Sequence, residues 1–364
     1  MKFALFTTNL AAGGAEKALA KIGTGLAARG HEVDFIVCEN TGDYSPPTGC
    51  CFHALSQRAG HGWLGKRRLA WSLRKLLGKQ RHDLLISTLP FADEIAALTR
   101  APRHVCRIAN TLSAEIARLP AAKAARRAGR YRTLYSQRPL VAVSQGVADD
   151  LRNQFNISAD HVLVIANPFD FATIRTLAAE SGTELPKVPY LLHVGRFAAQ
   201  KRHDLLLTAY AALTRTGLPH NLVLLTPHDP KLAELIAQHG LEQRVVIAGF
   251  QANPYPWMAN ADLLVLCSDH EGLPNVLIEA LACGTRVVST DCPSGPREIL
   301  HGELAQGLVP CNDQNALAKA MVTALARSRP TPEAIATALS PYTADQALAA
   351  WESLAKEQNQ CAAS

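Results

Sequence analysis

Apolar and polar positions alternate with two different periods along the first half of the chain, and this alternation predicts its fold. Short apolar runs bounded by turn signals predict strands. Segments with apolar residues three and four positions apart predict helices between them, as at residues 15–29 and 145–155. Strands that alternate with helices in this way predict a parallel, doubly wound sheet. The predicted strands cover residues 3–8, 33–37, 84–88, 105–108, 140–143 and 162–165.

A second series of the same kind begins after a polar segment. Residues 180–189 are polar and contain Pro186 and Pro189, which predicts a connection between two domains. A chain of 364 residues is long enough for two domains of ordinary size. We therefore predict a first domain over residues 1–168 and a second over residues 185–340. Strands of the second series are predicted at residues 190–194, 221–225, 245–248, 263–267 and 286–289.

The strongest functional signal lies where a predicted strand meets a predicted helix in the second domain. An apolar pattern over residues 261–267 leads into a short loop, and a helical pattern follows from Asn275. The first turn of a helix presents unpaired N–H groups and the positive end of its dipole, which suit an anion. Glu271 precedes this helix, and Glu279 lies about 6 Å along its axis from Asn275. Carboxylates on both sides of a phosphate-binding helix end suit a nucleotide-sugar, which has hydroxyls at both ends and phosphates in the middle. The alternative is that both are solvated charges near a helix dipole. His270, beside Glu271, is interpreted as a surface histidine.

Four segments together resemble the family 4 glycosyltransferases, which are retaining enzymes with the GT-B fold, in particular those of bacterial cell-surface glycan biosynthesis. The resemblance extends over nearly the whole chain. It implies an α/β fold of two doubly wound Rossmann-like domains that face each other across a cleft. It also implies that residues 344–364 form a terminal helix that packs back on the first, acceptor-side domain, while the second domain binds the nucleotide-sugar donor. The four segments are residues 13–16, residues 194–197 with Lys201, residues 268–289 and residues 291–298.

The resemblance assigns roles to particular residues of the second domain. It implies that Arg196 and Lys201 bind the diphosphate and neutralise it as it leaves, and that Glu271 contacts the transferred sugar. Glu279 is then the partner of the ribose hydroxyls, and Phe250 is a neighbour of the base. Because no Asp-x-Asp pair stands out, we expect these cations to act in place of a metal, with no cofactor beyond the nucleotide-sugar. The predicted catalytic residues are Glu271, Arg196 and Lys201, and the predicted donor-binding residues are Gly14, Arg196, Lys201, Phe250, Glu271, Asn275, Val276 and Glu279.

In the first domain the resemblance implies an acceptor side. Gly13 and Gly14 follow the first strand, where glycine lets the backbone approach a ligand closely, and Glu16 stands at the start of the helix. Many family members place a histidine near the reacting sugar, whereas the matching segment of this chain carries Arg107 and Asn110. The predicted acceptor-side residues are therefore Gly13, Glu16, Arg107 and Asn110.

Charge is distributed unevenly, which bears on the partners. Residues 58–138 hold 18 Lys and Arg against four Asp and Glu, a net charge of +14, whereas the whole chain carries only +6. Within this block, residues 63–77 predict a basic amphipathic helix that suits an anionic membrane surface. The same pattern is typical of a helix docked on its own domain. Because no nucleic-acid motif accompanies the block, we expect no nucleic-acid partner. The apolar face of the helix is expected to carry Trp63, Leu69, Leu73, Leu76 and Leu77.

Composition disfavours several other classes of protein. No apolar run reaches the roughly 18 residues that a membrane span needs, and the N-terminus lacks the apolar core and cleavage site of a signal peptide. Nine scattered cysteines without a Cys-x-x-Cys pair are typical of reduced thiols and not of a disulfide framework or a zinc site. We therefore expect a cytoplasmic protein that is peripheral on the inner face of the cytoplasmic membrane.

The leading hypothesis is a retaining, metal-independent glycosyltransferase that moves a hexose or N-acetylhexosamine from a UDP-sugar. Its expected acceptor is a lipid-linked, lipopolysaccharide or capsule glycan. The alternative is a sugar-nucleotide epimerase, or a non-catalytic protein of the same fold that binds a sugar-nucleotide or a membrane. A Rossmann oxidoreductase or a P-loop ATPase is disfavoured, because the segment around Gly13 and Gly14 is neither a G-x-G-x-x-G fingerprint nor a Walker A loop.

Overall fold

The computed structural model describes residues 1–10, 13–41, 45–57, 60–181 and 184–361. These residues form two compact units, one of Met1–Phe169 with Tyr342–Ser364 and one of Asp170–Pro341. The described residues of the polar segment 180–189 therefore fall within the second unit. Each unit is built around one wholly parallel sheet, as the alternation of strands and helices predicts.

The sheet of the first unit has seven strands, and the six predicted ones are confirmed to within two residues. The additional strand, of sequence CFHALS, lies at the edge of the sheet and is half-exposed, so it lacks the apolar run that marks the others. The strands are β1 (Lys2–Thr7), β2 (Glu32–Glu39), β3 (Cys51–Ser56), β4 (Leu84–Thr88), β5 (His104–Ile108), β6 (Leu140–Ala142) and β7 (Val162–Val164). Their order across the sheet is β3-β2-β1-β4-β5-β6-β7.

Both faces of this sheet are covered by helices, so its central strands are apolar on both sides. Successive side chains of a strand point to opposite faces. Accordingly, Phe3 and Leu5 of β1 belong to one core and Phe6 belongs to the other. The helices of this part of the chain are α1 (Gly14–Ala28), α2 (Trp63–Lys79), α3 (Pro90–Thr99), α4 (Leu112–Ala117), α5 (Ala121–Tyr135) and α6 (Gln145–Phe155).

The second unit repeats the design with a six-stranded sheet, whose five predicted strands are confirmed to within one residue. The strands are β8 (Tyr190–Val194), β9 (Asn221–Leu225), β10 (Val245–Ile247), β11 (Leu263–Leu266), β12 (Val287–Thr290) and β13 (Leu308–Val309), in the order β10-β9-β8-β11-β12-β13. The helices are α7 (Phe171–Ala178), α8 (His203–Arg215), α9 (Pro230–Gln238), α10 (Tyr255–Asn260), α11 (Asn275–Ala282), α12 (Pro296–Ile299), α13 (Gln314–Ala326) and α14 (Pro332–Leu339).

The last helix, α15 (Ala344–Cys361), belongs to the first unit. Trp351 is fully buried in the core that also contains Phe3 and Leu5, and Arg29, which directly follows α1, forms an ion pair with Asp345. The end of the predicted terminal helix, residues 362–364, lies outside the described residues. Within the described ranges, no helix combines the length and the apolar character that a membrane span requires.

Candidate functional site

The order of strands in the second unit identifies the edge at which a ligand is expected. β8 and β11 are parallel neighbours, and the order of the strands reverses between them. In open parallel sheets, ligands bind outside the carboxyl ends of the strands at such a point. β8 ends at Val194, shortly before Arg196 and Lys201, and β11 ends at Leu266, shortly before Glu271. The topology therefore places the loops that carry three predicted site residues side by side.

Lys201 and Glu271 are in direct contact at this edge. The Lys201 Nζ donates a hydrogen bond to Glu271 Oε1 at 2.6 Å. The two side chains are 20% and 10% exposed, so the pair lies mostly out of water while one side of it remains reachable. In such an environment an ion pair is stronger than at an open surface, and breaking it leaves a poorly solvated charge. Each residue therefore orients the other.

Three further hydrogen bonds join the loops that hold this pair. The Asp269 N–H donates to Gln200 O at 2.9 Å, and Gln200 Nε2 donates to His270 O at 2.6 Å. Arg202 Nη1 donates to Asp269 Oδ1 at 2.9 Å. His270 is only 3% exposed, so its interpretation as a surface histidine is wrong: the packing of the two loops covers it. Gln200 and Arg202 were not predicted, and their only signal in the sequence is their position beside Lys201.

The segment after β12 supports Glu271 from the other side. The Glu271 N–H donates to Pro293 O at 2.6 Å, and the Ser294 N–H donates to Glu271 O at 3.2 Å. Gly295 has a φ of +98°, and a Cβ at this position would lie 2.5 Å from Pro274 Cδ. Both the dihedral angle and the close approach require glycine here. Residues 291–298, one of the four segments that carry the family resemblance, thus help to position the Glu271 loop.

The start of α11 and the buried Glu279 complete this edge. Asn275 and Val276 are half-buried in the first turn of α11, where backbone N–H groups have no partner within the helix. Glu279, one turn further on, is 5% exposed and accepts a hydrogen bond from the Tyr255 hydroxyl at 3.3 Å. Burial and the neighbouring Glu279 carboxylate raise the pKa of Tyr255 well above its usual value, so this hydroxyl stays protonated as a donor. Tyr255 was not predicted, because it lies 24 positions away in the sequence.

Two other predicted donor-binding residues are exposed. Arg196 is exposed and makes no hydrogen bond or ion pair within the part of the chain that the structure describes. Phe250 follows β10 and is 48% exposed, a large apolar surface for an aromatic ring. An exposed guanidinium suits an anionic ligand, and an exposed ring suits the flat face of a base.

Two neutral histidines lie beneath the Lys201 loop. His193 of β8 is fully buried, and its Nδ1 lies 2.9 Å from Val265 O, which makes this nitrogen the donor. The His203 ring packs against it with 4.6 Å between the ring centroids. Burial lowers the pKa of His193 to about 4 and that of His203 to about 3, so both are uncharged near neutral pH. Of Lys201 and these two histidines, only Lys201 therefore supplies a positive charge at this edge.

The corresponding edge of the first unit brings Gly13 and Glu16 together. β1 and β4 are the neighbours between which the strand order reverses there. Gly13 precedes α1 in an extended conformation and Gly14 is its first residue. A Cβ at Gly13 would overlap the Glu16 carboxylate, which shows that this buried side chain folds back over the start of the helix. Gly13 has a φ of −109°, so a side chain added there would have to displace only the flexible Glu16 carboxylate.

Arg107 is placed differently from its prediction as a residue facing a ligand. It is 1% exposed, and it donates to Thr88 Oγ1 at 3.2 Å and to Asn167 Oδ1. Burial lowers its pKa to about 10, against the opposing effect of the Glu16 and Asp93 carboxylates, so Arg107 remains a cation near neutral pH. Its donors are directed at neutral groups within the unit. Asn110 is half-buried just beyond the end of β5.

Comparison with known proteins adds family information to this geometry. The family model described as Glycosyltransferase Family 4 matches residues 12–173. The model described as Glycosyl transferases group 1 matches residues 188–327. Most of each compact unit is therefore matched by a glycosyltransferase model.

Curated relatives are similar over about half of the chain. The N-acetylgalactosamine-N,N'-diacetylbacillosaminyl-diphospho-undecaprenol 4-alpha-N-acetylgalactosaminyltransferase of Campylobacter jejuni is 37% identical over 184 residues, 50% of this chain and 49% of the relative. The lipopolysaccharide 1,6-galactosyltransferase of Salmonella typhimurium is 31% identical over 175 residues, 45% of this chain and 47% of the relative. The chain thus spans about half the length of the curated relatives that it matches.

Solved structures match over nearly the whole length. A glycosyltransferase from Rickettsia africae has a TM-score of 0.75 at 17% identity and covers 98% of both chains. HepE from Anabaena, in complex with UDP and glucose, has a TM-score of 0.73 at 18% identity, with coverage of 98% of this chain and 100% of that one. At these identities the matches show the fold, an α/β arrangement of two Rossmann-like sheets of the GT-B class. With a glycosyltransferase model matching most of each unit, we conclude that the chain belongs to the family 4 glycosyltransferases.

Proposed function

We propose that the protein is a retaining glycosyltransferase that moves a hexose or N-acetylhexosamine from a UDP-sugar to a lipid-linked, lipopolysaccharide or capsule glycan, without a metal ion. The observation that carries the proposal is the Lys201–Glu271 ion pair at the edge of the second sheet. A cation that can bind a diphosphate is thus hydrogen-bonded directly to a carboxylate that can bind sugar hydroxyls. Glu279, with its Tyr255 donor, supplies a second carboxylate for the ribose hydroxyls.

In the proposed reaction the bond between the anomeric carbon and the diphosphate oxygen breaks. A new bond forms between that carbon and an acceptor hydroxyl oxygen on the same face of the sugar, and the hydroxyl proton passes to the departing diphosphate. Negative charge accumulates on the leaving group, so Lys201 and the exposed Arg196 contribute most in the transition state. Glu271 holds Lys201 in place and accepts hydrogen bonds from the sugar.

The similar proteins support the donor and acceptor classes. The Campylobacter relative is named as acting on a diphospho-undecaprenol-linked glycan, and the Salmonella relative on lipopolysaccharide. The matching HepE structure is a complex with UDP and glucose. We propose the same classes of donor and acceptor for this chain. Acceptors of these kinds are attached to a lipid, which favours an enzyme at a membrane surface.

The helix α2 supports a peripheral position on the membrane. Leu69 and Leu73 dock it on its own unit, while Leu76 and Leu77 are half-buried. Trp63, however, does not lie on this docked face: it is 68% exposed, so its assignment to the apolar face is wrong. Exposed Trp63, Leu64 and Trp71 alternate on the outer face with exposed basic residues, and α2 contains no acidic residue. Apolar side chains interleaved with cations suit the headgroup region of an anionic bilayer. The exposed basic residues of α2 are Arg67, Arg68, Arg74, Lys75 and Lys79.

A second acid-free helix extends this basic surface. Glu94 of α3 accepts a hydrogen bond from Lys66 of α2 at 2.6 Å and forms an ion pair with Arg130 of α5. The Glu94 carboxylate, which is 13% exposed, therefore links the two basic helices α2 and α5. α5 also carries exposed Lys123 and Arg132. Each Lys or Arg near an anionic membrane contributes about 1 kcal/mol, so the two helices together favour binding.

Calorimetric titration of the protein with UDP, GDP and ADP in EDTA-containing buffer tests the donor site. We expect UDP to bind and Glu279→Gln to weaken that binding. Glu242→Gln, a matched change of an exposed carboxylate in the same unit, should leave it unchanged. Binding of GDP or ADP in place of UDP would overturn the assignment of the nucleotide. Absence of binding by all three would overturn the proposed transferase site.

The absence of a metal requirement is tested separately. Transfer in excess EDTA is expected to proceed at the rate seen with added Mg²⁺ or Mn²⁺, because Arg196 and Lys201 are proposed to neutralise the leaving diphosphate. Loss of transfer in EDTA with recovery on addition of Mn²⁺ would contradict this. The anomeric configuration of the new glycosidic bond, measured by NMR and compared with that of the donor, decides whether the reaction is retaining.

Co-sedimentation with phosphatidylglycerol-containing vesicles tests the membrane surface. Replacing four basic residues of α2 by Gln should weaken binding about 100-fold or more at low salt, since each contributes about 1 kcal/mol. A control with four exposed basic residues of the second unit replaced by Gln should bind as the wild type does. An equal loss of vesicle binding in both variants would contradict the assignment of the membrane-binding surface to α2. The α2 variant changes Arg67, Arg68, Arg74 and Lys75, and the control changes Lys187, Arg215, Lys231 and Lys319.

A further inference from the structure

A buried thiol joins the two loops that carry Lys201 and Glu271. Cys267 directly follows β11 and is fully buried. Its Sγ donates to Lys201 O at 3.2 Å and to Arg202 O at 3.3 Å. One S–H group is thus shared between two neighbouring carbonyl oxygens, as in other three-centre hydrogen bonds. The main chain of the Lys201 loop is therefore attached to the strand that leads into the Glu271 loop.

The protonation of the thiol fixes the direction of these hydrogen bonds. Burial raises the pKa of Cys267 to about 12, so Sγ keeps its proton near neutral pH. Carbonyl oxygens only accept hydrogen bonds, which makes the thiol the donor in both contacts. Because a thiol is a weak donor, its removal should change the position of the loop more than the stability of the fold.

The turn that receives the thiol has a backbone conformation that needs support. Lys201 is the last residue of a short 3₁₀ helix, Ala199–Lys201, and Arg202 follows with a φ of +50° and a ψ of +48°. Residues other than glycine rarely adopt this left-handed conformation, which persists where the surrounding structure holds it. Cys267 contacts the carbonyl groups of both residues of this turn. It therefore holds the main chain at the point from which the Lys201 side chain extends.

The position of this main chain decides where the Lys201 ammonium group lies. The side chain passes beside Gly195, where an added Cβ would lie 3.5 Å from Lys201 Cδ, and it reaches Glu271 Oε1 at 2.6 Å. The ion pair of Arg202 with Asp269 also joins the two loops, but its side chains are 21% and 23% exposed. Water competes for such a link, whereas it does not reach the buried thiol.

These contacts assign a role to Cys267. We infer that Cys267 is a positioning residue that holds Lys201 against the diphosphate of the donor, an inference that rests on the proposed function of Lys201. Cys267 is fully buried and directs its S–H at main-chain oxygens, so it acts on the ligand through Lys201.

Calorimetric titration with UDP, GDP and ADP in EDTA-containing buffer, each compared with its own nucleoside, tests this role. Cys267→Ala should bind the diphosphate preferred by the wild type about fivefold more weakly, part of the roughly tenfold loss when a hydrogen bond to a charged group is removed. Binding of the nucleoside should stay unchanged, because Lys201 acts on the phosphates. Cys267→Ser keeps a donor and should restore binding of the diphosphate. Cys38→Ala, which shortens a fully buried cysteine of the first unit, is the matched control and should bind as the wild type does.

The same titration in a Lys201→Met background shows whether Cys267 acts through Lys201. Cys267→Ala should cause no further loss there, since the effects of residues that share one contact are not additive. A fivefold loss in that background, an equal loss for the nucleoside, no recovery in Cys267→Ser or wild-type affinity in Cys267→Ala would each overturn the role of Cys267 and leave the donor site intact. Wild-type affinity in Lys201→Met alone would overturn the proposed role of Lys201 and this inference with it. Absence of binding by all three diphosphates in the wild-type protein would overturn the donor site itself, and the role of Cys267 with it.

Discussion

The carboxyl edges of the two sheets have the same topology, yet each unit holds its cation there in a different way. In the second unit, Lys201 is 20% exposed and paired with the Glu271 carboxylate. In the first unit, Arg107 is 1% exposed and is held by the neutral Thr88 and Asn167 side chains. A partly exposed, paired charge can exchange its partner for a ligand, because the ligand supplies the interaction that is lost. A fully buried cation that is bound to neutral groups of its own unit serves the fold.

Removal of the exposed cation should have the largest effect. Lys201→Met is expected to lower the rate of sugar transfer by about 10²–10³-fold, since it removes a positive group that acts on developing charge. Lys231→Met, which changes an exposed lysine of the same unit, is the control and should retain full activity. Steady-state kinetics measures the rate of transfer, and thermal unfolding of the same samples measures whether the variants remain as stable as the wild type. Full transfer activity in Lys201→Met would show that the pair is structural only.

A comparison of two arginines separates stability from activity. Arg107→Met should lower the free energy of unfolding by about 1–3 kcal/mol, because the Asn167 oxygen loses its buried donor. Arg196→Met should leave the free energy of unfolding within about 0.5 kcal/mol of the wild type, as is usual for a surface change, and should lower transfer activity. Denaturant titration and kinetics distinguish the two. A large loss of stability in Arg196→Met, or none in Arg107→Met, would contradict the contrast between a structural cation in the first unit and a ligand-binding cation in the second.

The buried acid of the first unit predicts a smaller, pH-dependent effect. Asp93 accepts hydrogen bonds from Ser87 Oγ at 2.5 Å and from the Tyr135 hydroxyl at 2.8 Å, and burial raises its pKa to about 7. An acid whose pKa is higher in the folded state binds more protons there than in the unfolded chain. Its contribution to stability is complete below pH 3.8, the ordinary value, and is lost as the pH rises to about 7.

Unfolding free energies measured between pH 4 and 8 test this expectation. The slope due to Asp93 cannot exceed about 1.4 kcal/mol per pH unit, the value for one proton. Asp93→Asn, which is neutral throughout, should lose this part of the slope. Asp160→Asn, an exposed carboxylate of the same unit, should keep it. An identical pH profile for Asp93→Asn and the wild type would mean that Asp93 is ionised in the fold.

Local sequence patterns predicted a helix or strand well where neighbouring residues alone mark its beginning and its end. Helix α6 begins and ends as predicted, because Ser144 accepts a hydrogen bond from the Val147 N–H at its start and Asn156 adopts the left-handed conformation at its end. The half-exposed β3 escaped prediction, because an edge strand needs little apolar surface. The docked face of α2 was partly misassigned, since Trp63 lies at the first residue of the helix, where no neighbour covers it.

By itself, the sequence determined the alternation of strands and helices, the two-sheet fold, the loops that carry Lys201 and Glu271 and the helix that carries Glu279. These depend on periodicity and on motifs that are contiguous in the chain. Only the tertiary structure decided which side chains meet, because parallel strands bring together residues that are far apart in sequence. Lys201 reaches Glu271 across 70 positions, and Arg107 reaches Asn167 across 60. The exposure of Arg196 and the burial of Arg107 were settled in the same way, since burial depends on the neighbours that the sheet order supplies and not on the residue type.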